Sequence, residues 1–325
     1  MIVPVRTNPI RIVSYNVRYF GHALKGLAST RRSEERIAAG LASLDPLADV
    51  VCLQEIETIS LRSRVAYRRP AAGRTQLEAF MASLEEAFAK AGRPFPYDGF
   101  YFRAHANRIR GLDVTTHGLA ILVNTRRLAV ETHNVTAPDR ITHHHVERFR
   151  DRKQGRICAH MLLRDRSGRR VHVFNTHLSL PTPFARRFWT RNARMGWGVN
   201  QVHEARTLAA FVHRHARDEP FIVCGDFNSA PGSPVFRYLT RVAGFGCAQV
   251  ELGQIDGADP GRFPTAGFMR MRMHLDHVFS GNGARFVDLE GTVPFGDRRS
   301  PFSGLSDHVP LIGRLRCDHA LPERD

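Results

Sequence analysis

Lysine is almost missing from this chain. Of its 47 basic residues only Lys25, Lys90 and Lys153 are lysines, leaving 44 arginines in 325 residues. Arginine suits bidentate contact with phosphate, although GC-rich coding produces the same skew. Cysteine is sparse too: Cys52, Cys158, Cys224, Cys247 and Cys317 are scattered without a CxxC pair. That excludes a disulfide scaffold and reads as buried free thiols in a reducing compartment. No run approaches the roughly 18 consecutive apolar residues of a membrane span, and MIVPVRTNPIRIV lacks the apolar stretch of a signal peptide, so the expected location is cytoplasmic. Acidic residues are outnumbered, 31 against 47, for a formal charge of +16. The expected partners are therefore polyanions: nucleic acid, an anionic lipid surface or phosphorylated small molecules. With neither internal repeat nor low-complexity linker, residues 10–317 read as one domain between terminal extensions, 1–9 and 318–325.

What is present is organised around residues 221–234, FIVCGDFNSAPGSP. The apolar run Phe221 to Cys224 ends at a glycine, as a core strand does on reaching a sheet edge. At period two, Asp226 and Asn228 share a face just beyond the core and offer a carboxylate and an amide together. Ser233 caps a helix with Pro234 at its first position and Gly244 past its end. Alone, such a turn usually makes only local Asp and Asn bonds, so its meaning depends on the other segments.

Several of those end in the same way. RIVSYNVR forms a strand with Asn16 at its outgoing end, and ADVVCLQE another that ends on Glu55. Thr75 to Glu78 is a capping box before a helix with Leu77, Phe80, Met81, Leu84 and Phe88 buried. Residues 97–103 and 118–124 read as neighbouring strands with a loop between them. His143, His144 and His145 lie in a charged tract read as solvated. Strands at 156–164 and 171–179 form a hairpin about Ser167-Gly168, the second bringing Asn175 and His177 to one face. Residues 181–199 mix arginines, aromatics and glycines as a substrate-facing loop does, although a packed loop is the commoner meaning of such a segment, and Asn200 opens a helix with Val202, Ala205, Leu208 and Val212 buried. In 269–279 strict alternation puts methionines in the core and Arg270, Arg272, His274 and Asp276 opposite. Asp307 and His308 precede a last strand.

Six strand ends thus carry oxygen ligands and imidazoles. Carboxylates and amides without a thiolate suit Mg²⁺ or Mn²⁺, and two histidines nearby can move protons near neutral pH.

In sequence order, SYNVR, VCLQE, FNTHLS, CGDFNSAPGSP, HLDHVF and SDHVPL resemble the motifs of the endonuclease/exonuclease/phosphatase superfamily, spanning residues 11–315. The resemblance implies an α/β fold: a four-layer α/β/β/α sandwich, two packed mixed β-sheets flanked by helices, with the site at one end of the sheets. It also implies that Glu55 is the main metal ligand, with Asn16 beside it and Asp307 opposite. Asp226 and Asn228 would orient water and phosphate, Asp276 would orient His308 as general base, and His177 would stabilise developing charge. Asn175, Arg270 and Arg272 are candidate phosphate contacts. His177 in its NTHL setting is similar to pancreatic-type deoxyribonucleases, sphingomyelinases and deadenylases. A glutamate that several branches carry before the GLAIL strand is replaced by His117. The implied activity is Mg²⁺-dependent phosphodiester hydrolysis, with nucleic acid as the expected substrate. The rivals are a sphingomyelinase-like lipid hydrolase making peripheral membrane contact through 181–199, and a noncatalytic phosphate-binding relative.

Overall fold

The computed structural model describes residues 8–20, 31–57, 75–109, 112–142, 155–181, 195–255, 263–268, 271–290 and 300–317. Its strands are β1 (Ile10–Asn16), β2 (Val50–Ile56), β3 (Tyr97–Ile109), β4 (Leu112–Asn124), β5 (Leu128–His133), β6 (Asp139–Arg140), β7 (Ile157–Asp165) and β8 (Arg170–His177). They continue with β9 (Phe221–Asp226), β10 (Gly246–Cys247), β11 (Ala266–Phe268), β12 (Met271–Met273), β13 (Asp276–Gly281), β14 (Ala284–Leu289) and β15 (Leu311–Cys317). One sheet runs β14-β15-β1-β2-β4-β3 and the other β10-β13-β9-β8-β7-β5, with β6 paired to β7.

The short apolar runs seen in the sequence are strands buried on both faces, which explains why they are continuous rather than alternating. Their alternate side chains separate three cores. Ile12, Val50 and Cys52 from the first sheet meet Val171, Val173, Ile222 and Cys224 from the second between the sheets. Val13, Val51 and Leu53 point outward against Ile37 and Leu41 of the helix Arg31–Ala42 and Phe80, Leu84 and Phe88 of the helix Gln76–Lys90. On the far side, Phe174, Phe221 and Val223 pack on Leu208, Phe211 and Val212 of the helix Val199–Ala216. The result is four layers, helix, sheet, sheet and helix. All five cysteines are buried free thiols.

The Thr75 capping box forms as the sequence specifies, Thr75 accepting from Glu78 N and Glu78 accepting from Thr75 N. Other expectations need correction. The stretch between residues 103 and 118 is not a loop: β3 and β4 pair as one long hairpin from Tyr97↔Asn124 to Ile109↔Leu112. Cross-strand pairing extends the ladder through polar residues that carry no apolar alternation. Nor is 269–279 one strand. It divides into β12 and β13 with His274 and Leu275 between them, both buried. The alternation therefore fails where it mattered: His274 lies inside and Met273 is only half-buried. His143, His144 and His145, with 182–194 of the arginine-rich segment, lie outside the described residues.

A histidine relay lies beneath the helix Val199–Ala216. His160 Nε2 lies 2.8 Å from His172 Nδ1, and His172 Nε2 lies 2.7 Å from Glu219. A carboxylate can only accept, so His172 donates to Glu219 and accepts from His160, a chain that works with both rings neutral. Burial, then His172 and His215, hold His160 down to about 3. The unfolded chain therefore takes a proton near pH 6.5 that the folded chain refuses. Stability is full above that pH and falls as acid is added. From an unfolded value of 6.5, this group alone costs about 2 kcal/mol at pH 5. Denaturant unfolding of wild type and His160→Gln at pH 7 and pH 5 should show the shallower loss in the variant; equal losses would remove His160 as the source.

Candidate active site

Sheet register assembles the centre. β8 and β9 are parallel with His177 opposite Asp226, and β9 and β13 are antiparallel with Asp226 opposite Asp276. Three adjacent strands of the second sheet thus bring His177, Asp226 and Asp276 to one rung, with Asp226 in the middle. The approach of β8 to β9 requires a glycine before the aspartate: a Cβ on Gly225 would fall 2.2 Å from Thr176 O. His308 enters from the segment before β15. That segment is pinned by Gly267 N donating to Asp307 O and Val309 N to Thr265 O, while Thr265 Oγ1 accepts from Leu275 N and Asp276 N. His308 Nδ1 lies 2.8 Å from Asp276 Oδ2. Its Nε2 faces Asp226 Oδ2 at 3.7 Å, and His177 Nε2 approaches the same oxygen at 3.5 Å. Two imidazoles therefore flank one carboxylate oxygen.

The first sheet contributes Asn16 and Glu55. A register shift between Gln54 and Ile56 marks a bulge in β2, and Glu55 occupies it in the left-handed region at φ 58°. A non-glycine residue held there is strained, and such strain concentrates at functional sites. The bulge frees Glu55 from the ladder's alternation. Asn16 Nδ2 lies 3.3 Å from Glu55 Oε1 and 3.1 Å from Asp226 Oδ2. Its Oδ1 accepts from Arg18 N, a group that can only donate, so the amide orientation is fixed. In this arrangement Asn16 holds the two carboxylates by hydrogen bonds and turns its own oxygen toward Arg18 N.

Asn228 reaches the site by a route that strand periodicity does not describe. β9 stops at Asp226, Phe227 is fully buried, and Asn228 sits at φ 46°. Its backbone N donates to Asp226 Oδ1 at 2.9 Å, the expected local turn bond, which leaves Oδ2 for the histidines. Its Nδ2 donates to Leu178 O at 2.9 Å and faces His177 Nε2 at 3.2 Å. The local turn bond and the approach to His177 are thus present together.

Behind this turn stands Gln201, fully buried in the first turn of its helix. Its Nε2 donates to Ser179 O at 2.6 Å and Asn228 O at 3.0 Å, while its Oε1 accepts from Gly196 N at 3.2 Å and Gly198 N at 3.1 Å. Glu204, one turn later, accepts from both Ser179 N and Oγ. Gly196 is at φ 86°, and a Cβ there would meet Ser233 Oγ at 2.3 Å. The loops after β8 and β9 and the segment 195–198 are thus tied to one helix.

The centre is electrostatically loaded. Burial raises Glu55 above its ordinary range, with the charge on His308 pulling it back. Burial, then the charge on Asp276, raises Asp226. Burial depresses His308, but Asp276 and Asp226 outweigh it and push its pKa up to about 10. Asp226, Asp276 and His308 each offer an atom within 4.8 Å of the others, a possible cation cluster. Within that cluster His308 Nδ1 and Asp276 already share a 2.8 Å bond. Hard oxygens whose ionised forms are costly to bury suit a small divalent cation, and the residues present fit one.

Asp307 lies against Arg18, 2.7 Å from Oδ2 to the guanidinium. Asn175 does not face a ligand. It is fully buried, donates to Leu53 O and Ala120 O and accepts from Gln54, bonding the two sheets together. Arg272 is exposed, and Arg270 lies outside the described residues. His117 lies in β4 opposite His105. Sequence reading missed Arg18, Gln201 and Arg156. Arg156 lines the cleft with Tyr19, Glu55 and His177; its only signal is a basic residue directly before an apolar strand.

A two-sheet α/β sandwich with carboxylates and paired imidazoles at one end is a phosphoesterase architecture. Residues 13–308 match the family model described as "Endonuclease/Exonuclease/phosphatase family", and the chain belongs to that family. Among curated proteins, none matches the sequence significantly. Solved structures share the fold at low identity. The human Nocturnin catalytic domain, with bound sulfate, is 18% identical at TM-score 0.63, covering 97% of this chain and 96% of that one. ANGEL2, described as a 2',3'-cyclic phosphatase, is 17% identical at TM-score 0.62 with 97% of each chain covered. A family member from Beutenbergia cavernae is 19% identical at TM-score 0.60, covering 97% of this chain and 73% of that one.

Proposed function

We propose that this protein is a divalent-metal-dependent phosphodiester hydrolase acting on nucleic acid. The observation that carries the reading is the single Asp226 oxygen flanked by His177 at 3.5 Å and His308 at 3.7 Å, with His308 held at its other nitrogen by Asp276. Phosphoryl transfer asks for positioning and charge neutralisation more than for covalent chemistry. At this cluster Mg²⁺ or Mn²⁺ supplies neutralisation of the phosphate charge, and Glu55, Asp226 and Asp307 would hold it. Asn16 keeps Glu55 and Asp226 in place. Asp226 and Asn228 position the phosphate and the attacking water in line with the leaving oxygen. His308 and His177 form the proton-transfer pair, and Asp276 fixes the ring orientation and tautomer of His308.

The formal charge of +16 favours a polyanionic substrate. ANGEL2 has also been solved in complex with adenosine-2',3'-vanadate, a nucleotide-like phosphate mimic at the same fold. We take residues 10–317 as one catalytic unit, supported by the core shared between the sheets. Among the described residues no helix is long and apolar enough to cross a membrane. Five buried free thiols support a reducing compartment, the cytoplasm.

The test is hydrolysis of single- and double-stranded DNA, RNA and sphingomyelin vesicles, each with Mg²⁺ and with chelator. Chelator-sensitive cleavage of a nucleic acid is the expected result. Cleavage of lipid alone would move the activity to phospholipids, and binding without turnover would make the protein a noncatalytic relative. A finer prediction concerns Arg156, whose Nε is buried without a hydrogen-bond partner among the described residues and whose charge acts on Glu55. Arg156→Ala should raise KM about 10-fold, the scale of one charge-assisted phosphate bond, with a smaller change in kcat. An unchanged KM would take Arg156 out of the substrate cleft.

A further inference from the structure

A second cavity opens beside the turn that carries Asn228. It encloses about 410 Å³, and its wall begins at Pro231 and Gly232. That volume falls within the roughly 300–1,000 Å³ of small-ligand sites. The floor is apolar and firmly built, with Phe236 8% and Phe245 2% exposed. The rim is polar: Arg237 and Arg241 stand over it, opposed by Glu251. Two guanidinium groups against one carboxylate leave it net positive.

Two further features set the place apart from an ordinary groove. The helix that Ser233 caps runs only Pro234–Arg237 before passing into a π turn, Tyr238–Val242, closed by Ala243 N donating to Tyr238 O at 2.9 Å. π turns are uncommon and concentrate at functional sites. Trp197 is 46% exposed, and the Arg237 guanidinium carbon lies 5.7 Å from its ring centroid. Arg237 therefore belongs to the cavity rim and to an exposed indole together. The segment bearing Trp197 is itself seated on the catalytic turn, since Ala230 N donates to Met195 O and Val235 N to Gly196 O.

We propose that this cavity is a nucleotide-binding subsite. It takes one nucleotide of a single strand, phosphate on Arg237 and Arg241 and base against the apolar lining of Pro231 and the exposed Val250, while the scissile phosphate of the same strand lies at Asp226. The inference rests on the hydrolase reading above and adds the substrate class that the enzyme grips outside its reacting centre. Guanidinium groups match phosphate in a fixed fork, and apolar contact discriminates little between bases, so the subsite adds affinity with little sequence demand.

Trp197 supplies a readout independent of catalysis. The chain has two tryptophans, so Trp189→Phe leaves Trp197 as the sole indole. In chelator, adenosine monophosphate should change its emission saturably as phosphate draws Arg237 from the ring. Arg241→Glu should weaken that binding at least 10-fold. In turnover with Mg²⁺, Arg241→Glu should raise KM for a ten-nucleotide single strand about 10-fold and leave hydrolysis of bis(p-nitrophenyl) phosphate within 2-fold. No emission change with the nucleotide, an equal response to inorganic phosphate, or equal damage on both substrates would each overturn the subsite. Saturable, Arg241-dependent nucleotide binding by an enzyme that cleaves no nucleic acid would support the cavity as a nucleotide site and sink the hydrolase reading instead.

Discussion

Asp226→Asn and His308→Ala should each lower kcat on the cleaved polymer by about 10³–10⁴-fold, the upper range for loss of a positioned acid–base group. Asp226 sits at the middle of the rung, bonded to Asn16 and Asn228 and approached by both imidazoles. In the amide variant one Oδ2 acceptor becomes a donor, and the negative charge between the two rings is lost. His308→Ala removes one ring and leaves Asp276 buried without its partner. Asp226→Asn should leave the thermal transition within a few degrees of wild type, since it removes a buried charge outside the three apolar cores, whereas His308→Ala should lower it by stranding the Asp276 carboxylate. Asp276→Asn gives the finer test. Its amide nitrogen, placed at His308 Nδ1, would force the proton to the opposite nitrogen and invert the tautomer. A loss of about 10²-fold is expected, with a displaced pH profile for kcat. Added imidazole should partly restore His308→Ala and not Asp276→Asn. A variant of any of the three residues with wild-type turnover would remove that residue from the mechanism.

The sequence made the layers and the centre legible for one reason. A strand buried on both faces must be continuously apolar, so VVCL and FIVC announce themselves, and the first polar residue after each run marks the end of a sheet. Glu55 and Asp226 were found just past such runs, and His177 by the strand face it shares with Asn175. Their company was a matter of register, which no local pattern contains: His177, Asp226 and Asp276 meet because two separate pairings put them on one rung. Asn228 was found by an argument that does not hold, since a left-handed turn and not the pleat brings it in. The 269–279 stretch misled because perfect alternation there stands for two short strands and a break. Asn175 misled differently. Its polarity at a strand end looked like chemistry, whereas it closes a backbone hydrogen-bond account between two sheets.

Gln201 shows why positioning groups escape such reading. Apolar periodicity in its helix marked Val202, Ala205, Leu208 and Val212, yet Val202 is only half-buried while Gln201 and Glu204 are fully buried. A polar residue inside the buried stripe is invisible to hydrophobicity and costs stability unless every bond is met. Here all of Gln201's bonds are met, and they end on the loops that carry His177 and Asn228. Gln201→Met keeps the volume and removes two donors and two acceptances at once. Ser179 O, Asn228 O, Gly196 N and Gly198 N would then lack that partner, and the expected destabilisation is about 3 kcal/mol, since unmet buried groups cost about 1–3 kcal/mol each and do not add. The larger effect should be on chemistry. If Asn228 drifts by even about 1 Å, positioning losses reach roughly 10²-fold, so kcat should fall by about that much while KM for the strand changes little. Gln201→Glu should be milder in one respect, because its oxygens still accept from Gly196 and Gly198, and worse in another, because a carboxylate would face two carbonyls. Denaturant unfolding alongside steady-state kinetics separates the outcomes: lost stability with kcat unchanged would make Gln201 a structural clamp alone. Lost kcat in a protein that remains fully folded at the assay temperature would place it with the groups that hold the reacting geometry.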